Sequence, residues 1–561
     1  MFDIPLFREN ILFNLEHFFK FYLTTRNWWV WMGFVFIVMA LALLALKKTL
    51  SKNNLYRESF EKEEFCFCKK NRADVISLFL LTASFVVTAL YMYSLENSLF
   101  ENYDLMAINT TMIMKDGLKA MFDYSRVAPL SFWYMNILYA VTHNIFIIKG
   151  FVLAQLALAV WLLYKVFSFI PVSKRLMMLS VFLLTPTMLQ TSNIIYIERS
   201  LFIWMALSLI SVRDYCKTGK FLWAVLFVLC MNFAIYVKET AILFYCGLLV
   251  ASLAYNIWNE KFTLVDFIHP IKTIKKMPLE FLTGLSLFLY AVIYFILLSL
   301  RVNYGKGNSF SLVYLLEYYK AEIILMLISC GVALRQMGKN KTFSNNPIFC
   351  SGGFLFAGGC VMLAIIFGLK IAPISPHLNE RTYYMVIPVL FSIAYLFAKI
   401  NNKYILGALT ALILVYSFAE NYRLYKKEPG HFYREVAEFF EKNLSKTEPN
   451  AVYLVEKPFC DDFWRNTWMV EVWSSAYLYY FKNYNISFKY LNKEFYKHTF
   501  VPVKKEMDPY FFRMYPWGMP DSGDWLVIHK QALPEDLEKF RNFVTEKPIF
   551  ENGLFEVYHI Q

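Results

Sequence analysis

Long apolar runs alternate with short polar connections over most of the chain. Twelve such runs lie near 28–46, 75–94, 150–168, 174–189, 199–212, 221–237, 239–257, 279–300, 319–336, 348–370, 383–399 and 404–420. About 20 mainly apolar residues are needed for a helix to cross the hydrocarbon core. The pattern therefore predicts about twelve membrane-spanning helices over 28–420, with the runs at 174–189 and 199–212 short for the task. Residues 1–27 interleave Phe, Leu and Trp with Arg8, Glu16, Lys20 and Arg26, which predicts an amphipathic interfacial segment. After 420 the pattern becomes that of a soluble domain. Stretches 451–455 and 525–529 read as buried strands, and 555–560 alternates like an edge strand. Stretches 468–481 and 534–544 read as helices. The expected fold class is mainly α: a polytopic helical membrane protein with a small α/β domain over 421–561.

Composition agrees with this pattern. The 561 residues are 58% hydrophobic and 18% charged, with mean hydropathy +0.41. A soluble domain carries about a quarter charged residues, so a purely soluble enzyme is excluded. The net charge of +13 first suggests a nucleic-acid partner. The basic residues, however, fall in alternate loops: Lys47 to Arg72, then Lys165, Lys174 and Arg175, then Arg213 to Lys220, Lys261 to Lys276, Arg335 to Lys341, and Lys399 with Lys403. The positive-inside rule makes that the cytoplasmic side and sends both termini outward. The charge excess is then topology, and no nucleic-acid partner is expected. No Gly-rich phosphate loop follows a strand, which argues against ATP hydrolysis. Of the nine cysteines only Cys460 lies in the outward tail, so no disulfide framework is expected there. Cys66 and Cys68 lack a second ligand pair and read as reduced thiols.

Two outward segments are long: the first loop, 94–149, and the tail. Ionisable residues gather at the edges of apolar runs on that same expected face. They are Glu101 and Asp104 after the second run, Arg126, Glu198 with Arg199, Lys238 with Glu239, and His377, Glu380 and Arg381 before the eleventh. Charges at such positions are costly and mark functional sites. Three cations, Arg126, Lys238 and Arg381, suit binding of a phosphate, with arginine giving paired hydrogen bonds and lysine a point charge. A carboxylate such as Asp104 suits removal of a proton from an acceptor hydroxyl. The set fits group transfer from an anionic lipid.

Five short motifs in order over roughly 95–400 give a resemblance. They are Tyr103-Asp104 with Asn109 and Lys115-Asp116-Gly117; Arg126-Val-Ala-Pro129-Leu; Leu184-Thr-Pro186 followed by Glu198; Val237-Lys238-Glu239-Thr240; and Glu380-Arg381-Thr-Tyr383 running into Pro388. Together they resemble the GT-C superfamily of polyprenyl-phosphate-dependent glycosyltransferases, in the branch of protein O-mannosyltransferases and the lipid A aminoarabinose transferase. The chain departs from that pattern in having one acid where the family often has a pair, one proline where it has two, an extra first span, and a tail without a matching motif.

The resemblance implies an inverting transfer of a sugar from a polyprenyl-phosphate donor to a hydroxyl of a lipid, glycan or protein, at the outer face of a bacterial inner membrane. Asp104 would be the base, with Glu101 displaced beside it. Arg126, Lys238 and Arg381 would hold the phosphate, Glu198 would orient a cation or the sugar, and His377, Glu380 and Tyr383 would complete the donor site. No cofactor is expected to be required. Some relatives use a divalent metal, but no cluster here has metal-ligand spacing. Two other readings stay open: a glycan polymerase or ligase using a diphosphate-linked donor, and a lipid or glycan flippase. No inverted repeat supports the flippase. A structural scaffold does not call for converging ions.

Overall fold

A computed structural model describes residues 28–52, 72–94, 128–131, 145–191, 197–258, 269–300, 320–340, 352–368, 383–427, 430–455, 484–490, 520–532 and 547–560, with residues 134, 137, 138, 470, 474, 478 and 482. The chain divides into two compact units, one holding the bundle helices to Tyr422 and the other holding the C-terminal residues from Arg423 on.

The described residues of the twelve apolar runs are mainly helical. In chain order they give α1 (Trp28–Lys52), α2 (Arg72–Ser94), α3 (Ile145–Val166), α4 (Val172–Leu184), α5 (Pro186–Thr191), α6 (Glu198–Thr218), α7 (Phe221–Val237) and α8 (Thr240–Trp258). The short α9 (Pro270–Lys276) precedes α10 (Pro278–Leu300), α11 (Lys320–Asn340), α12 (Gly352–Gly368), α13 (Tyr383–Lys399) and α14 (Lys403–Lys427). Among the described residues, five helices are long and apolar enough to cross a membrane: those at Trp29–Ser51, Arg72–Tyr91, Ile147–Val166, Thr240–Ile257 and Lys403–Tyr422. Four more are apolar but shorter. The run at 174–189 is not one helix. It breaks at Thr185, whose backbone is extended, and restarts at Pro186, whose fixed φ suits a helix start but not a helix interior.

Side-chain hydrogen bonds register the helix ends. Arg175 is buried near the start of α4 and donates to the carbonyls of Tyr164, Ser168 and Ile170, which close the end of α3. Arg213 donates to the Lys165 carbonyl at 2.6 Å, and Tyr215 to the Leu50 carbonyl at 2.7 Å. Lys174 donates to the Ile400 carbonyl after α13. These contacts gather basic residues at one end of the helices. At the other end, Trp31 Nε1 donates to the Tyr236 hydroxyl and Asn421 donates to the Leu184 carbonyl, both at 3.1 Å. Successive helices α3, α4, α6 and α7 thus run antiparallel. Between the ends, close approach replaces side chains: a Cβ added to Gly247 on α8 would overlap the Gly358 carbonyl of α12. Polar links such as Asn232 to Ser286 (3.0 Å) join α7 to α10.

The C-terminal unit holds α15 (Gly430–Asn443) and the strands β1 (Asn450–Val455), β2 (Ile486–Tyr490), β3 (Trp525–His529), β4 (Phe550–Glu551) and β5 (Phe555–His559). The sheet order is β2-β1-β3-β5-β4, with β1, β2 and β3 parallel and β5 antiparallel to both neighbours. Tyr453, Val455, Leu526, Ile528, Tyr558 and Ile560 build the core on one face. On α15 the buried positions Tyr433, Val436, Ala437 and Phe440 recur at helical spacing. Phe439 and Phe440 meet Trp525, and Tyr433 meets Phe555, so α15 covers the opposite face. The edge-strand expectation for 555–560 is corrected: β5 is interior, because β4 pairs along its outer side. Its alternation reflects one more deeply buried face and not an edge position.

Candidate functional site

The turn between α7 and α8 is built from two residues. Lys238 leaves the helix with extended backbone (φ −153°, ψ 134°), and its N–H still donates to the Ala234 carbonyl. Its own carbonyl, with that of Glu239, accepts the first N–H groups of α8, from Ala241 and Ile242. This geometry holds the Lys238 side chain where α7 stops. Glu198 opens α6, where the helix dipole favours a negative charge.

These two side chains meet. Lys238 Nζ lies 2.7 Å from Glu198 Oε1, and the side chains are 5% and 1% exposed. The lysine engages Oε1, while Oε2 of Glu198 is buried and accepts no hydrogen bond among the described residues. That oxygen keeps acceptor capacity in a dry setting. Burying two charges costs several kcal/mol per ion before pairing offsets it, so the pair is an expensive feature. Arg199, the next residue, is fully buried as well.

The end of α7 also anchors the first long loop. Leu130 N–H donates to the Tyr236 carbonyl at 3.1 Å. The Ser131 hydroxyl is shared between the carbonyls of Ala128 (2.7 Å) and Val237 (2.8 Å). Carbonyls at a helix end lack intrahelical partners, and here the turn after Arg126-Val-Ala supplies them. Tyr236, whose carbonyl takes part, also holds Trp31 through its hydroxyl and packs on Tyr290 at 5.6 Å.

Of the residues singled out in the sequence, Glu198 and Lys238 are therefore brought together, and the stretch that follows Arg126 is docked beside Lys238. Tyr383 opens α13. Glu101, Asp104, Arg126, His377, Glu380 and Arg381 lie outside the described residues, as do the segment 1–27, Cys66, Cys68 and Cys460. Sequence reasoning did not find Trp31, Ser131 or Tyr236. An apolar run gives no hint of which of its aromatics carries a buried hydrogen bond, and Ser131 acts through a carbonyl that no motif marks. Among the described residues, no three His, Cys, Asp or Glu side chains gather as a metal-binding group.

No protein-family model matches the chain, and no curated protein matches it at a significant level. Fold and site together define a mainly helical chain with, among the described residues, five candidate membrane-spanning helices, a small C-terminal sheet, and a buried ion pair where two helices turn.

Proposed function

We propose that the protein is an integral-membrane glycosyltransferase that moves a sugar from a polyprenyl-phosphate donor to an acceptor hydroxyl. The observation that carries this reading is the buried Lys238–Glu198 pair, with the loop turn of Ala128 to Ser131 fixed on the last carbonyls of α7. That arrangement supports a cation held at a helix edge, next to the loop that supplies Arg126 and, further back, Asp104. In the reaction the acceptor oxygen attacks the anomeric carbon from the side opposite the phosphate. The bond from that carbon to the phosphate oxygen breaks, and the configuration inverts. Asp104 takes the hydroxyl proton, and polyprenyl phosphate leaves with the electron pair. Lys238, with Arg126 and Arg381, stabilises the charge that develops on the leaving phosphate. Glu198 sets the position of Lys238 and offers its remaining acceptor capacity to a sugar hydroxyl.

The reading places twelve spans in a bacterial inner membrane, with this end of the helices and the C-terminal domain facing the periplasm. The gathering of Lys174, Arg175 and Arg213 at the opposite end of α3 to α7 supports that orientation. The test is transfer by the purified protein in proteoliposomes with a polyprenyl-phosphate sugar. Asp104→Asn and Lys238→Ala should each lower turnover by about 10²-fold or more. Full activity in both would overturn the site assignment. Turnover only with a diphosphate-linked oligosaccharide would instead indicate a polymerase or ligase. Movement of the lipid without a new glycosidic bond would indicate a flippase.

A further inference from the structure

Two thiols that take no part in the transfer just described meet between α11 and α12. The sulfurs of Cys330 and Cys360 lie 3.9 Å apart, and both cysteines are free and half-buried. Each sits near the middle of its helix, so the two share one depth in the bundle.

Helix α13 holds them there. Pro388, Ser392 and Tyr395 lie on one face of α13 at helical spacing. The Ser392 carbonyl accepts the hydroxyl of Ser329, the residue before Cys330, at 3.3 Å. A Cβ added to Gly359, the residue before Cys360, would stand 3.5 Å from the Cα of Pro388. Phe356, one turn earlier on α12, stacks on Tyr395 at 4.6 Å. One face of α13 thus registers α11 and α12 together and sets their sulfurs against each other.

A disulfide needs the sulfurs at about 2.05 Å. Rotation about the two side chains shortens the gap, and Gly331, with open space beside it, leaves α11 room to follow. A structural zinc site takes four ligands, and among the described residues no three His, Cys, Asp or Glu gather anywhere. The pair therefore suits a bond between its own sulfurs better than a shared metal. Ile324, Leu327 and Leu334 are exposed on α11, with Leu327 and Leu334 one turn before and after Cys330. An oxidant that reaches the pair across that surface is itself apolar.

We propose that Cys330 and Cys360 form a redox-active dithiol that closes to a disulfide between α11 and α12, with a lipid-soluble quinone as electron acceptor. Both S–H bonds break and one S–S bond forms. The two electrons and two protons released reduce the quinone to its quinol. The dithiol stands apart from the transferase reading and survives if that reading fails.

The experiment uses the full chain in nanodiscs of phosphatidylcholine, incubated with decylubiquinone, then acid-quenched, alkylated and digested for mass spectrometry. A linked peptide pair joining Cys330 to Cys360, lighter by two hydrogens, is expected, with one quinol formed per disulfide. Cys330→Ser and Cys360→Ser should each abolish the linked pair and the quinol that accompanies it. Cys246→Ser, on α8, should leave both unchanged. The unaltered protein decides the matter even if a variant does not fold. Full alkylation of Cys330 and Cys360 after prolonged exposure to the quinone would overturn the proposal. So would a disulfide from either residue to a different cysteine.

Discussion

Lys238 and Glu198 stand 2.7 Å apart with almost no access to solvent, one at the end of α7 and the other at the start of α6. Removing one partner of a buried pair leaves an uncompensated charge, a loss of about 3–5 kcal/mol. Glu198→Leu and Lys238→Met should each lower the thermal midpoint in detergent strongly. The double variant, being apolar throughout, should recover most of that loss. Recovery of transfer activity in the double variant would mean that the pair is purely structural; the transferase reading expects stability to return and activity to stay lost.

Gly247 faces the Gly358 carbonyl with no room for a Cβ. Gly247→Ala must push α8 and α12 apart, at about 1–3 kcal/mol for overpacking. Gly331 on α11 has open space around the same position. There the gain in helix propensity from Gly331→Ala is about 1 kcal/mol. Chemical unfolding of the two variants should therefore move in opposite directions.

Arg175 holds three carbonyls at once and stacks on the Tyr164 ring at 4.3 Å. A lysine has no planar fork and reaches one or two of these acceptors at most. Arg175→Lys should cost about 1.5–3 kcal/mol, as for the loss of a hydrogen bond from a charged donor. Faster hydrogen exchange confined to 164–175 would check this, and unchanged exchange there would argue against it.

In the C-terminal domain, burial pushes the Tyr558 hydroxyl well above the usual tyrosine value, helped by the carboxylate of Glu556 that accepts its hydrogen bond at 2.7 Å. The unfolded chain loses this proton near pH 10, while the folded domain retains it. The stabilisation is fully present below about pH 10 and is lost as pH rises from there towards the folded value. Burial raises Tyr484 in the same direction. Hydrogen exchange of β3 and β5 in the full chain should accelerate from about pH 10 upward beyond the intrinsic rate. The slope should be shallower in Tyr558→Phe and shallower again with Tyr484→Phe.

Apolar length alone made the helices legible, since the described residues of the runs are mainly helical. What it could not locate was a break such as Thr185, which depends on a proline at a position where a helix can equally begin. Strands β1 and β3 were legible as continuous apolar segments buried on both faces. β2, Ile486–Tyr490, alternates over only five residues, and β4 over two, too short to stand out before their partners are known. At the site, Glu198 and Lys238 were legible as charges out of place at apolar edges. Ser131 and Trp31 were not, because their roles lie in a carbonyl and a hydroxyl supplied from over 100 residues away.

The fastening of Leu130 and Ser131 to the end of α7 has a consequence for modularity. The first long loop is not a cassette that can be exchanged between related chains by itself. Two of its anchor points are backbone atoms of Tyr236 and Val237, so a transplanted loop fits only where a helix stops at the same residue. Any graft of this loop has to carry the end of α7, and Lys238 with it, as one inherited piece.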